Sequence, residues 1–138
     1  MHKAEIISIG SELLSGKTID TTSTFISRKL GNIGVTVAHK TTIPDQHAEI
    51  IKAVKQSLNR SSVLLITGGL GPTKDDITKK AVAKALALKM KHYSTVEASI
   101  RRFYQKLHKK MPRLTLSQAF LPEKAKPLKI SWGTAPGI

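Results

Sequence analysis

The chain has 138 residues, 40% of them hydrophobic, a formal net charge of +14 and no cysteine. That length suits a single domain, residues 1–138, with a real core, and the missing cysteines exclude disulfides, thiol catalysis and Cys-bound zinc. Its apolar runs are too short for a signal peptide or a membrane span, so a cytoplasmic protein with no membrane partner is expected.

The charge is unevenly placed. Residues 79–138 carry 14 Lys or Arg against 2 Asp or Glu, whereas residues 1–78 carry 9 against 7. The second half is therefore a positive field, of the kind that attracts nucleotides, nucleic acid or anionic surfaces.

Residues 4–9 are rich in isoleucine and alternate little, as expected of a parallel strand covered on both faces. Gly10, Ser11 and Glu12 follow as a turn, and the chain then crosses to a helix that starts at Asp20 or Thr21, both good caps. Phe25, Ile26, Leu30 and Ile33 supply that helix with an apolar face, and Gly31 or Gly34 ends it. Residues 35–43 form the next strand, Pro44 and Asp45 a turn, and Ala48, Ile51, Val54 and Leu58 mark a second helix.

A third strand, residues 63–66, reads as buried and leads into the most informative stretch. Residues 67–78 run Thr-Gly-Gly-Leu-Gly-Pro-Thr-Lys-Asp-Asp-Ile-Thr and open a helix expected over 75–88. Gly68, Gly69 and Gly71 let the backbone turn sharply and approach a ligand, and Thr73 with Asp76 three residues on resembles a capping box. Amides at a helix start favour an anion, while Asp75 and Asp76 repel one unless a divalent cation lies between them. A metal-bridged phosphate ligand and a plain acid-capped glycine turn explain this stretch about equally well.

Three strand–helix units in a row imply a parallel sheet with right-handed crossovers, whose ligands bind beyond the carboxyl ends of the strands. Glu12, Asp45, Asp75 and Asp76 all follow strands, so they are expected on one edge, which favours the ligand reading. Beyond Leu88, the residues Val96, Ile100, Phe103 and Leu107 make an amphipathic helix with a basic face, ended by Pro112. Residues 116–121 read as a short helix, and the segment from Trp132 to Ile138 reads as a loop whose following strand is missing.

Other motifs fail. Gly16-Lys17-Thr18 lacks the earlier glycine of a P-loop, since Ser11 stands there, and Lys74 replaces the third glycine of a dinucleotide fingerprint. The five histidines have no zinc spacing and are expected at the surface, although His47 lies near enough to Asp45 to carry a proton. There is no Gly-x-Ser-x-Gly elbow for a serine hydrolase.

Residues 4–16, Asp20-Thr21, residues 67–78 and Gly133-Thr134-Ala135-Pro136-Gly137 together resemble the N-terminal domain of the competence/damage-inducible protein A (CinA) family, in the molybdopterin-binding, MoaB/Mog-like superfamily. The resemblance implies an α/β three-layer sandwich with a mainly parallel sheet, shortened here at its C-terminal end. It implies a small phosphorylated ligand, a pterin such as molybdopterin or a nucleotide, contacted by Gly10, Ser11, Glu12, Gly68, Gly69, Gly71, Lys74, Thr78, Gly133 and Thr134. It further implies metal-dependent hydrolysis of ADP-ribose-type pyrophosphates. Asp45 and Asp76 would be catalytic, and Asp45, Asp75 and Asp76 would hold magnesium, manganese or cobalt. On that resemblance no amidase activity is expected of residues 1–138, and Thr22 and Ile130 stand where the family usually has asparagine. A non-catalytic pterin- or nucleotide-binding domain is the alternative, and a homo-oligomer is compatible with either. A nucleic-acid module is the weakest reading, because aromatics make up only 4% of the chain.

Overall fold

In the computed structural model, which describes residues 3–74, 76–130 and 133–138, strand β1 (Lys3–Ile9) is buried at every position after Lys3. Side chains alternate between the faces of a strand, so consecutive burial means that both faces are covered. β1 is the middle of a parallel three-stranded sheet, in the order β2-β1-β3, with β2 (Thr36–Ile43) and β3 (Val63–Thr67) beside it. β3 is half-buried rather than buried, and Val63 is exposed, because the strand lies at the edge of this sheet.

The described chain divides into two compact units, Met1–Gly69 and Leu70–Ile138. The sheet belongs to the first, with helices α1 (Ser11–Leu14), α2 (Thr21–Asn32) and α3 (His47–Leu58). Residues expected to turn at Ser11 and Glu12 thus form a short helix instead. α2 packs on β1 and β2, and α3 on β1 and β3. Asp20 caps α2 by accepting the Ser23 N–H at 2.9 Å, and Gly34, with φ of 77°, follows the helix end.

The inner face of α2 differs from the expected stripe. Ser23 is buried and Ile26, Ser27 and Leu30 are half-buried, while Phe25 and Ile33 are 60% and 73% exposed. The cap gives a physical reason: the Asp20 carboxylate also accepts the Ser8 hydroxyl of β1 at 2.6 Å, fixing a rotation that turns Ser23 inward. In α3 the buried residues Ile50, Ala53, Val54 and Ser57 follow the helical period.

Glu5, 1% exposed in the middle of the sheet, accepts two bonds from Arg60, at 2.6 and 2.9 Å. The Arg60 bonds hold its carboxyl below the usual range against the opposing effect of burial. An acid in an isoleucine-rich strand is thereby satisfied by a residue 55 positions away.

The second unit holds α4 (Thr78–Ala85), β4 (Met90–His92), α5 (Ser94–Lys106), a 3-10 helix (Arg113–Ala119) and β5 (Phe120–Pro122). Its core is Val96, Ile100, Ala119 and Leu121, with Tyr93, Tyr104, Met111 and Ala125 packed around them. β4 and β5 pair antiparallel, an arrangement absent from the sequence-based expectation. Residues 116–121, expected as one helix, divide between the 3-10 turn and β5. α5 stops at Lys106, well before Pro112, and Leu107 beyond it is exposed. Pro112 instead precedes the 3-10 helix as its cap residue. Among the described residues no helix is long and apolar enough to cross a membrane.

Candidate functional site

In a parallel sheet the loops after the strands share one edge, and here short bonds tie them together. The Gly10 N–H donates to Ile43 O at 3.0 Å, joining the exits of β1 and β2. Ser11 N–H donates to Asp45 Oδ2 at 2.9 Å, so two residues 34 positions apart meet as the strand rule requires. The third exit is held by shape. Gly68 has φ of 95°, and a Cβ there would collide with the Ile9 carbonyl oxygen, so the loop after β3 closes against β1 only because residue 68 lacks a side chain. Gly69, with φ of 63°, continues the turn. The Glu12 carboxylate lies over Gly10, with Oε1 2.5 Å from the place of a Cβ on that glycine.

Asp20 belongs to the same neighbourhood and was read from sequence only as a cap. Burial raises its pKa, but the bonds from Ser8 and Ser23 outweigh burial and leave the carboxyl below its usual range. The helix-cap position was visible in sequence; its bond to a hydroxyl on β1 was not.

The other half of the glycine stretch lies in the second unit. Thr73 donates its N–H and its hydroxyl to Asp76 Oδ2, at 2.8 and 2.6 Å, and the Asp76 N–H returns a bond to Thr73 O at 3.2 Å. This closes a turn rather than a helix start. α4 begins only at Thr78, beyond this turn, and Ile77 before it gives no side-chain cap. The helix expected from residue 75 therefore starts three residues later, and Leu88 lies beyond its end. A Cβ on Gly71 would stand 2.6 Å from Asp76 Oδ2, so a side chain there displaces the carboxylate. Burial raises the Asp76 pKa, and bonds from Thr73 and the Gly71 amide overcome it, holding the group ionised below its usual range.

Lys79 was missed from sequence. It is 6% exposed, its Nζ donates to Gln118 O at 3.4 Å, and burial pushes its pKa down while the Asp76 charge opposes that shift. Only its position, in the first turn of a helix that also buries Thr78, Ala81 and Ala83, separates it from its solvated neighbour Lys80. Lys74 is exposed, Thr78 is the buried first residue of α4, and Gly133 and Thr134 lie in the closing loop, where Leu128 N–H bonds Gly137 O at 2.8 Å. Asp75 lies outside the described residues. Among those described, no three His, Asp or Glu side chains gather closely enough to hold a metal ion. His39, His92 and His108 are exposed and His47 is half-buried; His92 pairs with Glu97 at 2.6 Å.

The profile of one family, described as a probable molybdopterin binding domain, matches residues 5–137. The chain belongs to this family. Within it, the chain is 44% identical over 134 residues to a Natranaerobius thermophilus protein whose name refers to competence-damage induction, covering 97% of this chain and 33% of that protein. It is 36% identical over 141 residues to a CinA-like protein of Frankia casuarinae, covering 99% and 33%. The chain thus spans about a third of the length of these relatives. The crystal structure of CinA from Thermoplasma acidophilum matches with a TM-score of 0.88 at 29% identity, over 99% of this chain and 79% of that one. MoaB from Thermus thermophilus matches with a TM-score of 0.58 at 20% identity, over 88% and 79%, a likeness of fold alone. The resemblance to CinA and the MoaB/Mog-like α/β fold both hold.

Proposed function

We propose that this family member binds a phosphorylated pterin or nucleotide over the strand exits of its first unit, cradled by Gly10, Ser11, Asp45, Gly68 and Gly69. The observation that supports this reading is the Ser11–Asp45 bond, which fixes a carboxylate beside the glycine loop before any ligand arrives. A preset carboxylate complements the N–H donors of a pterin or purine edge, and a side-chain-free backbone admits phosphate closely. The family's molybdopterin-binding description agrees with that chemistry. Thermal-shift and calorimetric titration with AMP, ADP-ribose and a pterin phosphate test it, because a ligand that favours the native state raises its stability. Stabilisation by at least one of these, lost in Asp45→Asn, supports the proposal; equal shifts in both proteins remove it.

A finer reading adds hydrolysis of ADP-ribose-type pyrophosphates with a divalent cation. The observation that favours it is Asp76, kept ionised as a ligand to a hard cation must be. The described carboxylates do not by themselves assemble a metal site, so no step is derived through a cation. ADP-ribose turnover that falls on chelation and in Asp76→Asn supports this reading. Turnover equal under all three conditions, or none at all, leaves a binding domain.

A further inference from the structure

Between Glu97 and Glu123 the sequence holds no acidic residue, while Arg101, Arg102, Lys106, Lys109, Lys110 and Arg113 all fall in that interval. Every one of these cations is exposed. The two flanking acids are already engaged: Glu97 pairs with His92 and Arg101, each at 2.6 Å, and Glu123 accepts the Lys89 N–H at 3.2 Å. Arg102, Lys106, Lys109, Lys110 and Arg113 therefore have no carboxylate partner among the described residues. Local structure holds these charges in place. α5 turns Val96 and Ile100 into the core, so helical spacing puts Ala98, Arg102 and Gln105 on the opposite face, flanked by Arg101 and Lys106. The end of α5 is closed: His108 N–H donates to Gln105 O at 3.0 Å and Lys109 N–H to Tyr104 O at 3.1 Å, with φ of 51° at His108. Lys109 thus leaves a fixed turn, and it lines a basin of about 170 Å³ with Arg101, Tyr104, Gln105 and Met111. That basin is smaller than the roughly 300–1,000 Å³ of small-molecule sites, so these cations belong to a surface rather than a pocket. The surface shares no residue with the strand-exit site.

We infer that the outward face of α5 and the segment after it, through Arg113, form a docking surface for duplex DNA, gripped through its phosphates. Charge complementarity is the first argument. A row of cations without carboxylates suits a polymer that carries about one negative charge per 1.7 Å of its axis. Shape is the second. α5 has 13 residues, and a helix fits the B-form major groove, whereas the deep, narrow groove of duplex RNA does not admit one. Other anionic partners suit the surface less well. A single strand needs open aromatic faces, but Phe103 and Tyr104 are half-buried and packed edge-on, with ring centroids 5.7 Å apart. A lipid surface needs apolar side chains to insert, but Val96 and Ile100 of α5 are spent in the core, and the exposed Leu107 and Leu114 lie beyond the helix. Three of the five unpaired cations are lysines, point charges that hold phosphate without reading sequence, so binding is sequence-blind.

Fluorescence anisotropy of a labelled DNA duplex of about 20 base pairs, titrated with the whole chain between about 50 and 200 mM salt, tests this. Five phosphate contacts give an affinity that falls with salt at a logarithmic slope of about −4.5. Arg102→Gln, Lys106→Gln, Lys109→Gln and Lys110→Gln, combined in one protein, should weaken binding at the lowest salt by at least about tenfold and flatten the slope to about −1. Lys80→Gln, Lys84→Gln, Lys89→Gln and Lys91→Gln remove the same charge from exposed positions on α4 and β4 and before β4, and together should cost less than about threefold. Duplex RNA of the same sequence should bind more weakly than the DNA. Equal losses in the two quadruple variants would mean that net charge alone attracts DNA, and would overturn the inference. Absence of DNA binding, an affinity insensitive to salt, duplex RNA bound as tightly as DNA, or binding to phosphatidylserine vesicles but not to DNA would each overturn it as well. Failure of the strand-exit proposal leaves these outcomes unaffected.

Discussion

Replacing Gly68 by alanine tests whether the loop after β3 is positioned by close approach to β1. Two penalties are distinct here and can be separated. The first is conformational: φ at Gly68 is 95°, and an L-residue held at positive φ costs roughly 1–2 kcal/mol. Gly34→Ala carries the same kind of penalty, at φ of 77°, but its new methyl enters open space. Stiffening the unfolded chain returns about 0.4–1 kcal/mol in both variants, so Gly34→Ala should lose only about 1 kcal/mol. The second penalty belongs to Gly68 alone. Its Cβ meets a backbone carbonyl, that of Ile9, which cannot swing aside as a side chain does, so a strand must shift. Overpacking of that kind adds about 1–3 kcal/mol, for a total near 3 kcal/mol, a large part of the 5–15 kcal/mol that holds a typical domain. Urea unfolding of the two variants beside the parent measures the difference. Equal losses in the two, within about 0.5 kcal/mol, would refute the close approach and with it the position given to the glycine loop.

Other outcomes follow from the buried charges and the second core. Glu5→Gln should cost about 1–2 kcal/mol at neutral pH, at the lower end for a charged bond because Arg60 is half exposed to solvent. The folded Glu5 pKa is depressed, so its contribution is complete above the ordinary value of 4.5 and disappears as pH falls through the folded value. Urea midpoints measured from neutral pH into acid should therefore decline less steeply for Glu5→Gln than for the parent; matching slopes would contradict the ion pair. Lys79→Met should leave stability unchanged or raise it by about 1 kcal/mol, since burial of the ammonium is only weakly compensated by Gln118 O at 3.4 Å. A thermal midpoint lowered by several degrees would show that the ammonium is an essential anchor. Ile100→Ala, at a position 2% exposed in the second core, should lose about 2–5 kcal/mol in chemical denaturation, and a loss below about 1 kcal/mol would mean that this core is loosely packed.

Much of the first unit was legible in the sequence because its signals are local. The isoleucine run of β1 and the Asp20 cap each act within a few residues, whereas of the stripe expected for α3 only Val54 is buried, Ile51 is half-buried and Ala48 and Leu58 are exposed. The meeting of Ser11 with Asp45 was legible indirectly, through the rule that parallel strands release their loops on one edge. The Thr73–Asp76 pair was found but its consequence was inverted. The pair closes a turn, with both Thr73 donors on the Asp76 carboxylate, and α4 starts only at Thr78. Phe25 and Ile33 were placed inward by periodicity, whereas the bond between Ser8 and Asp20 sets the helix rotation. β4 and β5 are three residues each, too short to show alternation, and exist through their pairing with each other. Lys79 and the Glu5–Arg60 pair depend on burial or on partners far along the chain, which spacing within the sequence does not encode.

The central claim is that a phosphorylated ligand is held where the loops of the parallel strands meet, beside a carboxylate already fixed by a backbone amide. Titration of the protein with ADP-ribose, alone and with magnesium, compared with the same titration of Asp45→Asn, addresses it most directly. Saturable binding is expected, weakened by about tenfold or more in the substituted protein. Binding of equal strength in the two proteins would contradict it.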